Sequence, residues 1–197
     1  MEPNSGRTAR RMKILTRTLL VGVGVLVLGL VVALFLPATW KVERAIVVHA
    51  PPAAVFPYLN TLKKWSEWTV WYDEGTERQV SFEGPDAGVG AIMRWADRKS
   101  RGELKIVESR PREFLAYDLA FNEGEFTMRG EFALAPVAEG TRVIWSSHGD
   151  VEGKLLGRYF ILPLDRLMGG DFERNLARLK QRIETSGARE RSKPRAQ

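Results

Sequence analysis

The sequence predicts an α+β protein in which an antiparallel sheet packs on one long C-terminal helix, preceded by a single transmembrane helix. Three observations lead to this fold class. An uncharged apolar run covers residues 19–36, closely spaced strand candidates fill residues 79–148, and a helical period of apolar residues begins at Phe172. A run of strands followed by a helix is typical of folds in which the α and β elements are segregated.

The apolar run reads LLVGVGVLVLGLVVALFL. A helix of this length measures about 27 Å, close to the ~30 Å hydrocarbon core of a bilayer. A cleaved signal peptide has a shorter apolar region and an Ala-x-Ala exit, which Pro37-Ala38-Thr39 does not provide. We therefore predict a permanent signal anchor over residues 19–37, after a basic cytosolic N-terminus at residues 1–18.

Basic residues flanking the anchor predict its orientation. Five of them precede the anchor, and only Lys41 and Arg44 follow it closely. Because cytosolic flanks of membrane helices are enriched in Lys and Arg, the N-terminus should stay in the cytosol and the globular domain should lie outside it. The excess of Arg over Lys and the compact size suggest a bacterial protein, which would make this a single-pass protein of the plasma (inner) membrane.

The net charge of +6 lies at the two ends of the chain. Residues 1–37 carry +4 and residues 187–197 carry +3, which leaves −1 for the domain at residues 38–186. Nucleic acid is not an expected partner, because a domain that binds it needs a basic surface of its own. Residues 187–197 are predicted to be a charged, disordered tail.

Cysteine is absent, and the two histidines, His49 and His148, are far apart. These facts exclude disulfides, cysteine nucleophiles and a clustered His/Cys metal site, so we expect neither a metal nor another cofactor. His148 and Asp150 could form a general base and its orienting partner, but no nucleophile accompanies them. No catalytic residue is assigned.

The globular domain opens with a β-branched strand at residues 39–49, and Ala50-Pro51-Pro52 then starts a short helix. The later strand candidates are Gln79–Glu83, Ala91–Ala96, Glu103–Ser109, Phe114–Asn122, Glu125–Leu134 and Thr141–His148. Glu123-Gly124, between two alternating runs, predicts a tight hairpin. Alternation assigns apolar residues to one face of the sheet, namely Leu115, Tyr117, Leu119, Phe121, Phe126, Met128, Phe132, Leu134, Val143 and Trp145.

The C-terminal helix is predicted from apolar residues at positions i, i+4, i+7 and i+11, which are Phe172, Leu176, Leu179 and Ile183. The segment Leu155–Met168 is apolar enough to be helical too. Pro163 and Gly169-Gly170 should kink or divide it. A curved sheet covered by one helix leaves space between them, and small ligands bind in such spaces.

Five motifs follow one another in order: residues 50–56 (APPAAVF), 65–71 (WSEWTVW), 88–90 (GVG), 140–145 (GTRVIW) and 171–180 (DFERNLARLK). Together they resemble the polyketide cyclase/dehydrase-like branch of the SRPBCC (START and birch-pollen-allergen-like) superfamily. The resemblance covers about residues 40–183. It implies a helix-grip fold, in which seven antiparallel strands surround the C-terminal helix with a hydrophobic pocket between them. Pro57, inside the first short helix, and the N-terminal anchor depart from the family pattern.

The candidate ligand-binding residues are therefore Trp68, Trp71, Trp95, Tyr117, Phe132, Trp145, Phe172 and Leu176. For most of them, plain core packing is the competing interpretation. The leading hypothesis is a membrane-anchored, non-enzymatic binder of an apolar or lipid-like small molecule. Two alternatives stay open: a polyketide cyclase/dehydratase-type enzyme acting on an apolar substrate, and an envelope protein-interaction module. The sequence does not indicate an oligomeric state.

Overall fold

The computed structural model describes residues 5–73, 79–97, 100–151 and 153–192. The chain divides into two compact units. One comprises residues 1–38 and 151–162, and the other comprises residues 39–150 and 163–197.

The larger unit contains one sheet of seven antiparallel strands in the order β1-β7-β6-β5-β4-β3-β2. The strands are β1 (Thr39–Val48), β2 (Gln79–Glu83), β3 (Ile92–Ala96), β4 (Arg101–Arg110), β5 (Phe114–Phe121), β6 (Phe126–Val137) and β7 (Gly140–Asp150). The register of β4 against β5 shifts between Ile106 and Glu108, an irregularity of the kind that bends a strand. The predicted fold class, a curved helix-grip sheet with a long C-terminal helix, is confirmed.

The predicted strands all form. β2 has the predicted bounds, β1, β3 and β5 are one residue shorter, and β4, β6 and β7 extend further by one to three residues at one or both ends. The predicted tight hairpin at Glu123-Gly124 is confirmed: Phe121 of β5 pairs with Phe126 of β6, and the connection between them contains a short 3₁₀ turn, Asn122–Gly124. Asn122 and Gly124 both adopt positive φ angles, of 47° and 93°. These two residue types accept the left-handed region more readily than others do.

Short helices and the long C-terminal helix complete this unit. Helix α2 (Pro52–Asn60) is followed by two 3₁₀ helices, Leu62–Glu67 and Val70–Tyr72. Helix α4 (Leu164–Ser192) packs along β1 and closes the inner face of the sheet. It continues past residue 186 into the segment predicted to be disordered, and residues 193–197 lie outside the described residues.

Helix α4 begins directly after Pro163 but runs without a break through Gly169-Gly170, where we expected a division. The reason is a close contact with β1. A Cβ atom at Gly169 would collide with the guanidinium group of Arg44. That group donates hydrogen bonds to Asp165 (2.8 Å) and Glu173 (2.7 Å) on either side of the glycine pair. The glycine therefore makes room for the arginine, and two ion pairs hold the helix in place.

The smaller unit contains helices α1 (Ser5–Phe35) and α3 (Gly157–Ile161). Within α1, the stretch Ile14–Phe35 has 22 residues and a mean hydropathy of 2.8, so it is long and apolar enough to cross a membrane. Among the described helices it is the one that meets this criterion.

Candidate functional site

An aromatic cluster occupies the space between the middle of the sheet and α4. Trp145 of β7 is stacked on Phe172 of α4, with ring centroids 3.9 Å apart and an interplanar angle of 8°. On its other side it is stacked on Phe132 of β6, at 4.9 Å and 27°. Two of the other predicted ligand-binding residues, Phe132 and Phe172, are therefore in direct contact with Trp145. Leu176, one turn further along α4, is 1% exposed.

Trp68, the residue after the 3₁₀ helix Leu62–Glu67, also belongs to this cluster. The ring of Trp68 meets the rings of Phe132 and Trp145 edge to face, at 6.2 and 6.0 Å. The indole N–H of Trp68 donates to the carbonyl of Tyr58 at 3.2 Å. Its ring is 1% exposed and forms part of the packed core.

Tyr117 of β5 is the polar member of the cluster. Its hydroxyl accepts a hydrogen bond from the indole N–H of Trp145 at 3.0 Å. Burial raises the pKa of Tyr117 to about 12, because an ionised phenol would lose its hydration there. Gly130, directly opposite on β6, lies against the phenol ring, and any Cβ at that position would overlap it.

An open cavity of about 110 Å³ lies at the β3–β4–β5 end of the inner face. It is lined by apolar and aromatic residues: Trp71, Tyr72, Met93, Trp95, Leu104, Leu119 and Phe121. Two of the predicted ligand-binding residues, Trp71 and Trp95, are in this wall. Trp95 meets Phe121 edge to face at 5.4 Å and lies over Gly102, whose missing side chain leaves room for the indole. The Tyr72 hydroxyl donates to Met93 Sδ at 2.9 Å.

Helix α4 holds the Val70–Tyr72 wall of the cavity in position from both sides. The Oδ1 atom of Asn175 accepts a hydrogen bond from the Val70 N–H at 2.6 Å, and Asn175 is fully buried. At the other end, Arg178 forms an ion pair with Asp73, with nitrogen–oxygen distances of 2.5 and 3.0 Å. This hydrogen-bonded guanidinium lowers the pKa of Asp73. The Asn175 amide nitrogen is buried, and the described residues offer it no hydrogen-bond partner.

The outer face of the sheet is polar and carries charged pairs such as Arg94 with Glu103, at 2.7 Å. A solvent-open depression of about 700 Å³ lies on this face, and Trp95 contributes to the lining of both the depression and the cavity. His148 and Asp150, considered above as a catalytic pair, lie with Arg129 in another depression, on the outer face of the sheet. Within the described ranges, no three His, Cys, Asp or Glu residues are grouped as metal ligands.

The structure thus separates the eight predicted site residues into two groups. Trp71 and Trp95 line the cavity, and the other six pack in or beside the aromatic cluster. Sequence reasoning did not select Tyr72, Met93 or Leu104 for the site. Leu119 and Phe121 were assigned to the inner face by alternation but not to the cavity. Alternation gives the face of a residue, but not its distance from α4.

Comparison with known proteins agrees with this architecture. Residues 39–184 match the family described as polyketide cyclase / dehydrase and lipid transport. No curated protein sequence matches significantly.

Three solved structures illustrate the fold. A protein from Chromobacterium violaceum has 20% identity and a TM-score of 0.53, covering 75% of this chain and 99% of its own. A protein of unknown function from Staphylococcus aureus has 15% identity and a TM-score of 0.60, with 76% and 96% covered. The structure of Ara h 8.0201 has 12% identity and a TM-score of 0.51, with 75% and 99% covered.

At these identities the solved structures establish the fold alone. The family match indicates the kind of ligand that such a fold holds. A family described by polyketide cyclisation and lipid transport has a fold that holds hydrophobic ligands. Since the match spans nearly the whole sheet and most of α4, the chain belongs to the polyketide cyclase / dehydrase and lipid transport family.

Proposed function

We propose that this protein is a membrane-anchored binder of an apolar or amphipathic small molecule, which it holds in the cavity between the sheet and the Val70–Tyr72 wall. The observation that carries the proposal is the cavity itself. It measures about 110 Å³, and its seven lining residues carry no carboxylate, imidazole, amine or guanidinium group. Engineered apolar cavities of about 150 Å³ stay dry and bind benzene-sized molecules, so this one suits an alkyl end or a small ring.

The cavity is too small for a whole lipid-like molecule, since pockets for drug-sized ligands measure roughly 300–1,000 Å³. We therefore expect only the apolar end of the ligand to enter the cavity, while its polar end stays in water at the open side of the cavity. Each methylene moved out of water contributes about 0.8 kcal/mol, which makes partial insertion favourable.

Binding is favoured over catalysis by the chemistry of this wall. General acid–base catalysis needs an ionisable side chain within hydrogen-bonding reach of the substrate. The phenol of Tyr72 is the ionisable group at the cavity, and its hydroxyl is directed at Met93 Sδ. The buried phenol of Tyr117 has its pKa raised by burial, which keeps it protonated and unsuited to act as a base.

The membrane part of the proposal rests on α1. Its stretch Ile14–Phe35 has 22 residues and a mean hydropathy of 2.8, enough to cross a bilayer, and five basic residues precede the uncharged run that starts at Leu19. Retention of this helix is supported by the smaller unit, where Arg158 and Tyr159 form hydrogen bonds to carbonyls at its C-terminal end. Cleavage after α1 would leave these two side chains without those partners.

The test is photo-crosslinking of the full chain in nanodiscs with a diazirine-bearing fatty acid, followed by peptide mapping. We expect saturable labelling of β3, β4 and β5, reduced by an unlabelled fatty acid. Leu119→Phe, which places a ring in the cavity, should reduce this labelling. The same change at Leu115, on the same face of β5 but away from the cavity, is the matched control. Labelling confined to residues 14–35 would refute the binding site.

A further inference from the structure

We infer that residues 153–162 form a second membrane-contacting element, which inserts into the bilayer leaflet beside the C-terminal end of α1. This inference rests on the proposed membrane insertion of α1 and adds a lipid-binding surface to it. Its support comes from three features of the smaller unit: the hydrogen bonds that fix the depth of the segment, the exposed apolar side chains, and the satisfied backbone.

The first contact is made by Arg158 of α3. Its Nη1 atom lies 3.2, 3.0 and 3.1 Å from the carbonyl oxygens of Ala33, Leu34 and Leu36 and donates to them. The last carbonyls of an α-helix have no partner within the helix, and a cation there also interacts favourably with the helix dipole. In a bilayer such carbonyls would be costly to leave unpaired, and a buried arginine needs such partners as well. Arg158 therefore caps α1.

The second contact fixes the depth of α3 along α1. The hydroxyl of Tyr159 donates to the carbonyl of Gly29 at 2.6 Å. Gly29 precedes the end of α1 at Phe35 by six residues, or about 9 Å of helix. Helix α3 thus lies beside the last two turns of the apolar stretch. Helices that lie in a membrane interface are buried by a similar ~5–10 Å.

The segment exposes three large apolar side chains. Leu156, Phe160 and Leu162 are 58%, 77% and 54% exposed, whereas Ile161 is 5% exposed. At the depth set by Tyr159, acyl chains surround them. We therefore assign lipid as the occupant of this surface, because the contacts with α1 place it at the level of the hydrocarbon.

The backbone of the segment is suited to such a place. Successive turns are closed by hydrogen bonds from Gly157 N to Lys154 O (2.8 Å), Arg158 N to Leu155 O (3.4 Å) and Tyr159 N to Leu156 O (3.2 Å). Internal pairing of the backbone is what lipid exposure demands.

The chain contains no cysteine, so single cysteines can be labelled in the full-length protein. We would attach bimane at Phe160→Cys and measure its quenching by nitroxide-labelled lipids and by aqueous iodide in nanodiscs. Leu26→Cys, within α1, is the membrane control. Val89→Cys, 57% exposed in the loop before β3, is the water-exposed control. We expect lipid quenching at positions 26 and 160, and iodide quenching at position 89.

The outcomes separate this inference from the proposed function. If position 26 escapes lipid quenching, α1 is not in the membrane and the anchor itself is refuted. If position 26 is quenched by lipid while position 160 is quenched by iodide, the anchor stands and the inserted segment is overturned. Adding Arg158→Ala should shift position 160 from lipid towards iodide quenching without changing position 26. If position 160 stays quenched by lipid in the Arg158→Ala variant, the role of Arg158 in holding the segment is overturned.

Discussion

The cavity predicts opposite responses to one substitution made at two positions of the same strand. Leu115 and Leu119 are both inward-facing residues of β5, 0% and 4% exposed. Leu119 lines the cavity of about 110 Å³, and Leu115 does not. Replacing either leucine by phenylalanine adds three carbon atoms. At Leu115 they must displace packed neighbours, and at Leu119 they can enter empty space.

The magnitudes follow from the packing. Overpacking a well-filled core costs about 1–3 kcal/mol, so Leu115→Phe should destabilise by that amount. Cavity volume costs about 24 cal/mol per Å³, and filling all of the 110 Å³ would return about 3 kcal/mol at most. A phenyl ring at position 119 that fills part of the cavity should gain enough packing to offset most of the strain it causes. We expect Leu119→Phe to change the free energy of unfolding by less than about 1 kcal/mol.

Thermal unfolding of the full chain in nanodiscs, followed by tryptophan fluorescence, measures the difference. All six tryptophans lie between residues 40 and 145, so the signal reports the sheet unit and not α1. For a domain of this size, 1 kcal/mol corresponds to about 3 °C in Tm, so Leu115→Phe should lower Tm by about 3–9 °C. Equal losses at both positions would show that the space beside Leu119 is not a usable cavity. Unchanged fatty-acid labelling in Leu119→Phe would refute the site.

Three further predictions concern the core and the topology. Burial raises the pKa of Tyr117 from 10.0 to about 12, so the unfolded chain ionises first and stability should fall by about 2 kcal/mol between pH 10 and 12. Tyr117→Phe should abolish this fall in stability. It also leaves the Trp145 N–H without its partner, which lowers stability at all pH values. Urea titrations at several pH values measure both effects. Phe132→Ala should cost about 3–5 kcal/mol in the same assay, because Phe132 is fully buried among other rings. A loss below about 1 kcal/mol would mean that this wall is underpacked. An alkaline phosphatase fused after Gln197 should be active, because the five basic residues before the apolar run at residues 19–36 keep the N-terminus in the cytosol. Activity of a cytosol-only reporter fused there would contradict that orientation.

The strands, their faces and the C-terminal helix follow from the sequence alone. An alternating pattern such as Phe114–Phe121 dictates which side chains share a face, since the period of a strand is a local property. The same holds for the apolar run of α1 and for the helical period that starts at Phe172. These signals depend on neighbouring residues and need no knowledge of the rest of the chain.

The location of the cavity was decided by the tertiary structure. Trp145 and Phe172 stand 27 positions apart, and only folding reveals that their rings stack at 3.9 Å and fill the space in which we expected a pocket. The cavity lies instead where Leu104 and Leu119 face Trp71. Whether inward-facing side chains touch or leave a void depends on how their volumes sum across several strands and α4. Core packing is sensitive to volume differences as small as one methylene group.

The continuity of α4 and the capping of α1 were also decided by contacts between residues far apart in the sequence. Gly169-Gly170 is a break signal when only its neighbours are considered, and Arg44, more than a hundred residues earlier, turns it into a packing site. Arg158 likewise has no sequence signal that links it to Ala33, 125 residues away. Secondary structure was readable because it is set by short-range periodicity. The cavity and the helix cap were not, because they arise from contacts between residues that only the folded chain brings together.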